Sequence, residues 1–403
     1  MVIAARARSA VKLTRVWLPP HKDKLNSAME SLRSRKRTTV VITGGSGSLG
    51  SQVAKLIYSR WNDVREIRLF DREPPQQSIV TTITGFAGAP DKPKVSYIPG
   101  DILDTDALLA TFVKADVVIH CAAVLDNGSV FSRRKMKVVN IQGTQNVIEA
   151  CLDCGVRALV MTGSLAQVLT KSKQHTRFDE SVKLPKGKDL VFPYYGGSKN
   201  VAERLVLEAN SRVGKDGAKL YTCSLRCPVM FGENDQFVLS TLWLAKQCYG
   251  YFVPVRSRYG TTMQSLYIGN GAWAHVVAAQ KLLDEKAQLE IGGNFYYIGD
   301  HSPVCSMADF HGHFLKPLGY RVLPVGMPLF LVMLIAFFME FLVILLAFVG
   351  VDLRNSLNRS VLHFLQLSHS YSWEKAQKEL QYEPLYAHNT ALARSIQYYR
   401  KVL

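Results

Sequence analysis

The run Thr38–Thr43, TTVVIT, passes straight into Gly44-Gly45-Ser46-Gly47-Ser48-Leu49-Gly50, and from there Leu49, Val53, Leu56 and Ile57 recur at helical spacing. A mostly apolar, β-rich run without alternation is a strand buried on both faces, and such strands belong to parallel sheets covered by helices. Six further runs of this kind follow: EIRLFD (66–71), VSYIPGD (95–101), DVVIHCAA (116–123), ALVMTGS (158–164), LYTCSLR (220–226) and FYYIGD (295–300). Helical stretches separate the early ones. The alternation predicts an α/β fold with a doubly wound parallel sheet of the Rossmann type.

The chain's 403 residues suffice for one large domain with an appendage. Seven scattered cysteines make no disulfide framework and read as reduced thiols, so the catalytic part is expected in a reducing compartment. A net charge of +17 would suit nucleic acid, but residues 1–37 alone carry ten Lys/Arg against two acids. The body of the chain has no basic cluster with interleaved aromatics, so no nucleic-acid partner is expected. The leading segment, with Arg6, Arg8, Lys12 and Arg15 and no acid before Asp23, lacks the apolar core of a secretory signal. It reads as an organellar transit segment, a basic surface-binding segment or a solvated extension.

Leu329 to Val351 is apolar except for Glu340 at its centre. As a helix it would reach about 35 Å against a hydrocarbon core of about 30 Å. A carboxylate at mid-bilayer costs about 2.5–3.5 kcal/mol, which a hairpin turning near Glu340 would avoid. The segment is therefore expected to associate with a membrane, as a span or re-entrant.

The glycine loop satisfies both Gly45-x-Gly47-x-x-Gly50 and Gly44-x-x-Gly47-x-x-Gly50 between a strand and a helix. That context is where glycines serve a tight turn, close approach to a pyrophosphate and helix–strand packing. The free amides and dipole of the first helical turn favour the phosphate charge. Gly44, Gly45, Ser46, Gly47, Ser48, Leu49 and Gly50 are thus candidate cofactor contacts. Asp71 closes the second strand 21 residues after Gly50, where a carboxylate accepts from ribose hydroxyls and repels a 2′-phosphate. It favours NAD over NADP, although neighbouring Arg72 could receive that phosphate.

Oxidising a secondary alcohol needs a base for the hydroxyl proton and donors for the developing oxygen charge. Tyr195-Gly196-Gly197-Ser198-Lys199 puts a phenol and an ammonium four residues apart, on one face if helical. The ammonium, with a cationic nicotinamide, would lower the phenol's pKa. Ser164 ends the fifth strand, at the crevice edge where parallel sheets hold ligands, and could bridge substrate and Tyr195. Cys151-x-x-Cys154 and His311-x-His313 lack partners at ligand spacing, so no metal is expected.

At these residues the chain resembles an extended short-chain dehydrogenase/reductase. LYTCSLR, FGEND, GNGAWAH (269–275), FYYIGDHSP (295–303) and YSWEKAQKELQYEPLY (371–386) narrow the resemblance to the 3β-hydroxysteroid dehydrogenase/delta-5 to delta-4 isomerase family. The resemblance implies a membrane-bound enzyme that uses NAD to oxidise a 3β-hydroxysteroid or sterol to the 3-ketone in steroid biosynthesis. It implies Ser164, Tyr195 and Lys199 as catalytic, and adds Asp101, Ile102, Ala122, Ala123 and Asn140 to the cofactor contacts, with Tyr195 and Lys199 also touching the cofactor. Departures are Arg226-Cys227-Pro228, where the family has Arg-Pro, and Gly299-Asp300-His301, where its isomerases tend to carry paired aspartates. The second departure leaves the isomerase step open.

The related sterol-4α-carboxylate 3-dehydrogenase (decarboxylating) branch and a catalytically silent, membrane-tethered NAD-binding scaffold are the alternatives. The expected divisions are the basic extension 1–37, the NAD-binding core 38–230, a substrate-binding region 231–321, the membrane-associated segment 322–351 and a C-terminal region 352–403. Expected partners are the steroid or sterol, membrane lipid and a second copy of the chain. The family's common anchorage points to the endoplasmic reticulum membrane, with the mitochondrial membrane as the alternative on account of the leading arginines.

Overall fold

Apolar residues along the first strand, β1 (Thr38–Thr43), alternate between two cores: Val40 and Ile42 enter one, Val41 the other, and all three are fully buried. The same division holds along β4 (Val117–His120) and β5 (Ala158–Ser164), because successive side chains leave a strand on opposite faces. With β2 (Val64–Asp71), β3 (Lys94–Pro99), β6 (Lys219–Cys227) and β7 (Asn294–Tyr297), these strands form one sheet in the order β7-β6-β5-β4-β1-β2-β3. Every pairing among the seven is parallel. The computed structural model describes residues 37–75, 92–125, 132–171, 175–255, 260–349 and 358–403.

Helix α1 (Ser48–Arg60) follows the glycine loop, and α2 (Thr105–Phe112), α3 (Thr144–Asp153) and α4 (Pro193–Glu208) follow later strands. α1 packs with α5 (Ile268–Leu283) on one face of the sheet, and α2, α3 and α4 pack together on the other. The expected doubly wound α/β fold is what is found. All seven expected strand runs are strands of this sheet. Strand order reverses between β1 and β4, which opens a crevice at their carboxyl ends.

A smaller sheet joins Cys305–Ser306, Thr262–Met263, His369–Tyr371 and His175–Phe178, so the end of the chain is woven into the middle of it. The apolar segment forms α6 (Leu329–Phe348), which passes through Glu340 without a turn. The hairpin at Glu340 is therefore corrected. Gly350 and Val351, the last residues of the expected segment, lie outside the described residues, as do residues 1–36 of the basic extension. Glu340 is not an unpaired carboxylate: it accepts from the backbone N–H of Arg359 at 2.7 Å and from its guanidinium Nε at 2.7 Å. Arg359 opens the short helix α7 (Arg359–Phe364), which packs against α6.

Candidate active site

The glycine loop closes where β1 ends. Gly44 has a φ of +71°, and a Cβ there would meet the Ala122 backbone N at 2.7 Å, so the sharp turn and its approach to β4 both require glycine. A Cβ on Gly50 would lie 2.2 Å from the Gly44 carbonyl oxygen, and one on Gly45 2.9 Å from Leu69, so these two glycines serve packing. α1 is preceded by Gly47, which offers no side-chain cap, and has no acid in its first turn, which leaves its amino-terminal amides free for an anion. The buried Ser46 hydroxyl has no partner. A phosphate oxygen would satisfy it.

A groove of about 260 Å³ lies along this turn. Gly44, Gly47, Asp71, Asp101, Ile102, Ala122 and Ala123, all expected cofactor contacts, line it. The Asp71 carboxylate accepts from Ser46 N at 3.0 Å and Arg72 N at 2.8 Å, which fixes it at the groove wall. Arg72 faces Asp101 at 4.0 Å, both partly exposed. Leu49 is buried in the core, and the Ser48 hydroxyl donates to the Asn234 carbonyl at 2.6 Å, so neither side chain lines the groove. Asn140 sits in a π-helical turn (Val138–Gly143), a local distortion frequent at functional sites. Its carboxamide holds the Val124 backbone through two hydrogen bonds and donates to the Ser198 hydroxyl at 3.0 Å. It shapes the wall rather than lining it. Phe70, Gly100 and Cys121 also line the groove and were not anticipated, because nothing in their spacing marks a strand end as a wall.

The strand ends bring the reactive side chains together. Ser164 ends β5, where its hydroxyl accepts from Ala166 N at 3.2 Å and lies close enough to Tyr195 to oppose the rise of its phenol pKa. Tyr195 and Lys199 lie in α4, whose first turn begins with Pro193. Burial pushes the Tyr195 phenol up to about 12, opposed by the nearby Ser164 hydroxyl. The expectation of a lowered phenol pKa is thus corrected for the protein alone: desolvation of the phenol outweighs the stabilisation that the Ser164 hydroxyl gives. Burial also brings Lys199 down to about 8, while the Glu203 carboxylate one turn further on pulls it back up.

Glu203 is a site residue that the sequence reading missed. It is nearly inaccessible and accepts from Arg226 at 2.5 Å (Nη2) and 3.1 Å (Nε), and from the Ser224 hydroxyl at 2.8 Å. Arg226 in turn donates to the Tyr297 hydroxyl at 3.1 Å and stacks over Phe295 at 3.7 Å. The available signal was spacing: Tyr195, Lys199 and Glu203 repeat every four residues, opposite an arginine in a buried strand. His275 of the GNGAWAH run bonds Thr162 at 2.8 Å, two residues before Ser164, and so braces β5.

Asp300 is committed internally, accepting from Tyr267 N at 3.0 Å, Asn270 Nδ2 at 2.9 Å and Ser302 N at 2.9 Å. Cys151 is buried in the core, and His311 packs against Phe237, Phe252 and Phe310. Among the described residues no three His, Cys, Asp or Glu side chains gather as metal ligands.

A phenol, a hydroxyl and an ammonium beside a dinucleotide groove can exchange a proton with an alcohol while a hydride leaves its carbon. The family model described as the 3-beta hydroxysteroid dehydrogenase/isomerase family matches residues 41–329, most of the chain. The chain belongs to that family. It is 32% identical over 370 residues to the human protein named 3 beta-hydroxysteroid dehydrogenase type 7, covering 90% of this chain and 95% of the relative. Among solved structures it is similar to a dTDP-glucose 4,6-dehydratase from Streptomyces venezuelae, with a TM-score of 0.65 at 17% identity over 90% of this chain and 97% of that one. A UDP-glucose-4-epimerase from Stenotrophomonas maltophila gives a TM-score of 0.65 at 18% identity, over 91% and 98% of the two chains. Both were solved with NAD, and at this distance they establish the fold. As a member of the 3-beta hydroxysteroid dehydrogenase/isomerase family the chain is an NAD-dependent oxidoreductase.

Proposed function

We propose that the protein oxidises the 3β-hydroxyl of a steroid or sterol to the 3-ketone. The observation that carries this reading is the convergence of Ser164, at the end of β5, with Tyr195 and with Lys199 one turn along α4, beside the groove that Asp71 lines. Bound NAD supplies the hydride acceptor. The amides opening α1 and the Ser46 hydroxyl would hold its pyrophosphate, and Asp71 its adenosine ribose. Ser164 orients the alcohol, and the Tyr195 oxygen takes the hydroxyl proton. Lys199, held charged by Glu203, favours the phenolate that must form. In the reverse direction the protonated phenol is the acid.

The reaction proposed is dehydrogenation without isomerisation. Moving the double bond needs a second group to carry a proton between carbons, and Asp300 already has three hydrogen-bond donors on its carboxylate. We further propose that α6 holds the enzyme on the endoplasmic reticulum membrane. It is long and apolar enough to cross a bilayer, and most of its surface is exposed.

Incubating membranes with NAD and either a delta-5 3β-hydroxysteroid or a 4-carboxysterol tests the reading. The expected product is the unconjugated 3-ketone of the first substrate, seen by mass and by the absence of enone absorbance. Loss of carbon dioxide from the second with no reaction of the first would assign the chain to the decarboxylating branch. Failure to reduce NAD with either would contradict the enzymatic role.

A further inference from the structure

We propose that α6 lies flat in one leaflet, with a basic edge of the protein on anionic headgroups, and does not cross the membrane. The proposal rests on the membrane association inferred above and adds its geometry and lipid chemistry.

Both flanks of α6 belong to the same body. Ahead of it, Tyr251–Phe252 pairs with Arg321–Val322, and Val255 bridges Met327, two residues before the helix. After it, His369–Tyr371 pairs with His175–Phe178 and with Met263, strands anchored to the core. A single crossing would put these flanks on opposite sides of a bilayer. An unbroken helix rules out a hairpin within the segment.

The chain rejoins α6 at its middle. Arg359, 60% exposed, bonds Glu340, which lies about 12 Å before the end of the helix at Phe348 by the helical rise. Were α6 upright, this half-solvated guanidinium would sit deep in hydrocarbon, where charge is costly. Flat, it sits at headgroup level.

The helix has one narrow stripe on the protein: Val332 and Ala336 pack with Leu362 and Met327, and Val343 is also buried. Glu340 continues that stripe, four residues after Ala336. The remaining faces present Phe330, Phe337, Phe341, Leu345 and Phe348 to the exterior, each more than half exposed. An apolar surface of this breadth fits the acyl region of a leaflet better than a polar-rimmed protein interface.

The edge beside it is basic. Phe364 of α7 packs in one buried cluster with Leu169 and Val191, which sets the Lys171 turn beside α7. Lys171 N donates at 3.1 Å to Asp189 O, in the turn that also carries exposed Lys186 and Lys188. Asp189 is the acid in this group, so lysine charge is in excess toward anionic lipid.

The test places one tryptophan at a time in the full chain, as Phe330→Trp, Phe337→Trp and Phe348→Trp. Each is read as the increment over the native tryptophans on phosphatidylcholine vesicles, with and without phosphatidylserine, brominated at different acyl depths. A flat helix gives the same shallow quenching depth at all three positions. Phosphatidylserine should raise the bound fraction roughly tenfold, and Lys171→Glu/Lys186→Glu/Lys188→Glu should abolish that rise. A depth that differs among the three, with Phe337 deepest and the two ends shallow, or binding indifferent to phosphatidylserine, overturns the proposal and leaves membrane association standing. No binding to either vesicle, or a soluble dimer by light scattering, overturns both.

Discussion

Tyr195 combines two requirements that pull in opposite directions. It must be dry enough to meet an apolar substrate, and burial for that purpose raises its phenol to about 12. The Ser164 hydroxyl beside the phenol is what the chain sets against that penalty. Tyr195→Phe should therefore lower the rate about 10²–10⁴-fold and leave NAD affinity, measured by fluorescence titration, near normal. A variant with ordinary turnover would remove Tyr195 from the chemistry. At the other end of the cofactor, Asp71→Asn keeps the size of the side chain and removes its charge. The ratio of kcat/KM for NADP over NAD should rise, because repulsion against a 2′-phosphate is lost while Arg72 stays half-exposed beside it. An unchanged ratio would show that the Asp71 carboxylate serves only the Ser46 and Arg72 amides it binds.

Helix α4 carries half-buried Tyr195 and buried Lys199 and Glu203 on one line, so its placement against β6 decides the geometry of the site. Removing one partner of a buried ion pair costs about 3–5 kcal/mol. Glu203→Gln should accordingly lower Tm markedly, and Glu203→Leu/Arg226→Met should recover most of the loss. The Glu203 variants that fold have a second signature. Burial depresses Lys199 to about 8 and the Glu203 carboxylate raises it, so taking the carboxylate away lowers it further. Activity that needs the charged lysine, lost as pH rises through its pKa, should then be lost at lower pH in the kcat/KM profile. A Tm effect without that shift would make the pair structural only. The helix and its Tyr-x-x-x-Lys face were legible in the sequence because spacing alone puts four-apart residues on one side. Glu203 was not, because its role depends on Arg226, an arginine whose burial a one-dimensional pattern of apolar residues conceals.

Across the whole molecule, the seven strands were legible because buried parallel strands are apolar without interruption, and the groove followed from the glycine run at the strand-order reversal. The partner of Glu340 was not legible: Arg359 lies nineteen positions away, and no local rule joins them. Neither was the internal use of Asp300, since two of its three partners, Tyr267 and Asn270, lie about thirty positions earlier in the chain. The core also encloses several histidines held neutral by burial, His120 down to about 3 and His275, His311 and His369 to about 4. In the unfolded chain they take protons below about 6.5, and in the native state only near those lower values, so stability should fall as pH drops from 6.5 toward 4. Thermal unfolding across that window checks it, and a flat Tm would mean that the histidines are hydrated. The central claim is hydride removal from C3 of a steroid assisted by Tyr195, and a 3β-hydroxysteroid carrying deuterium at the 3α position tests it most directly. The account predicts that the deuterium appears in NADH and is absent from the ketone, at a rate that Tyr195→Phe suppresses. Deuterium retained in the steroid, or transferred as fast by Tyr195→Phe, would contradict it.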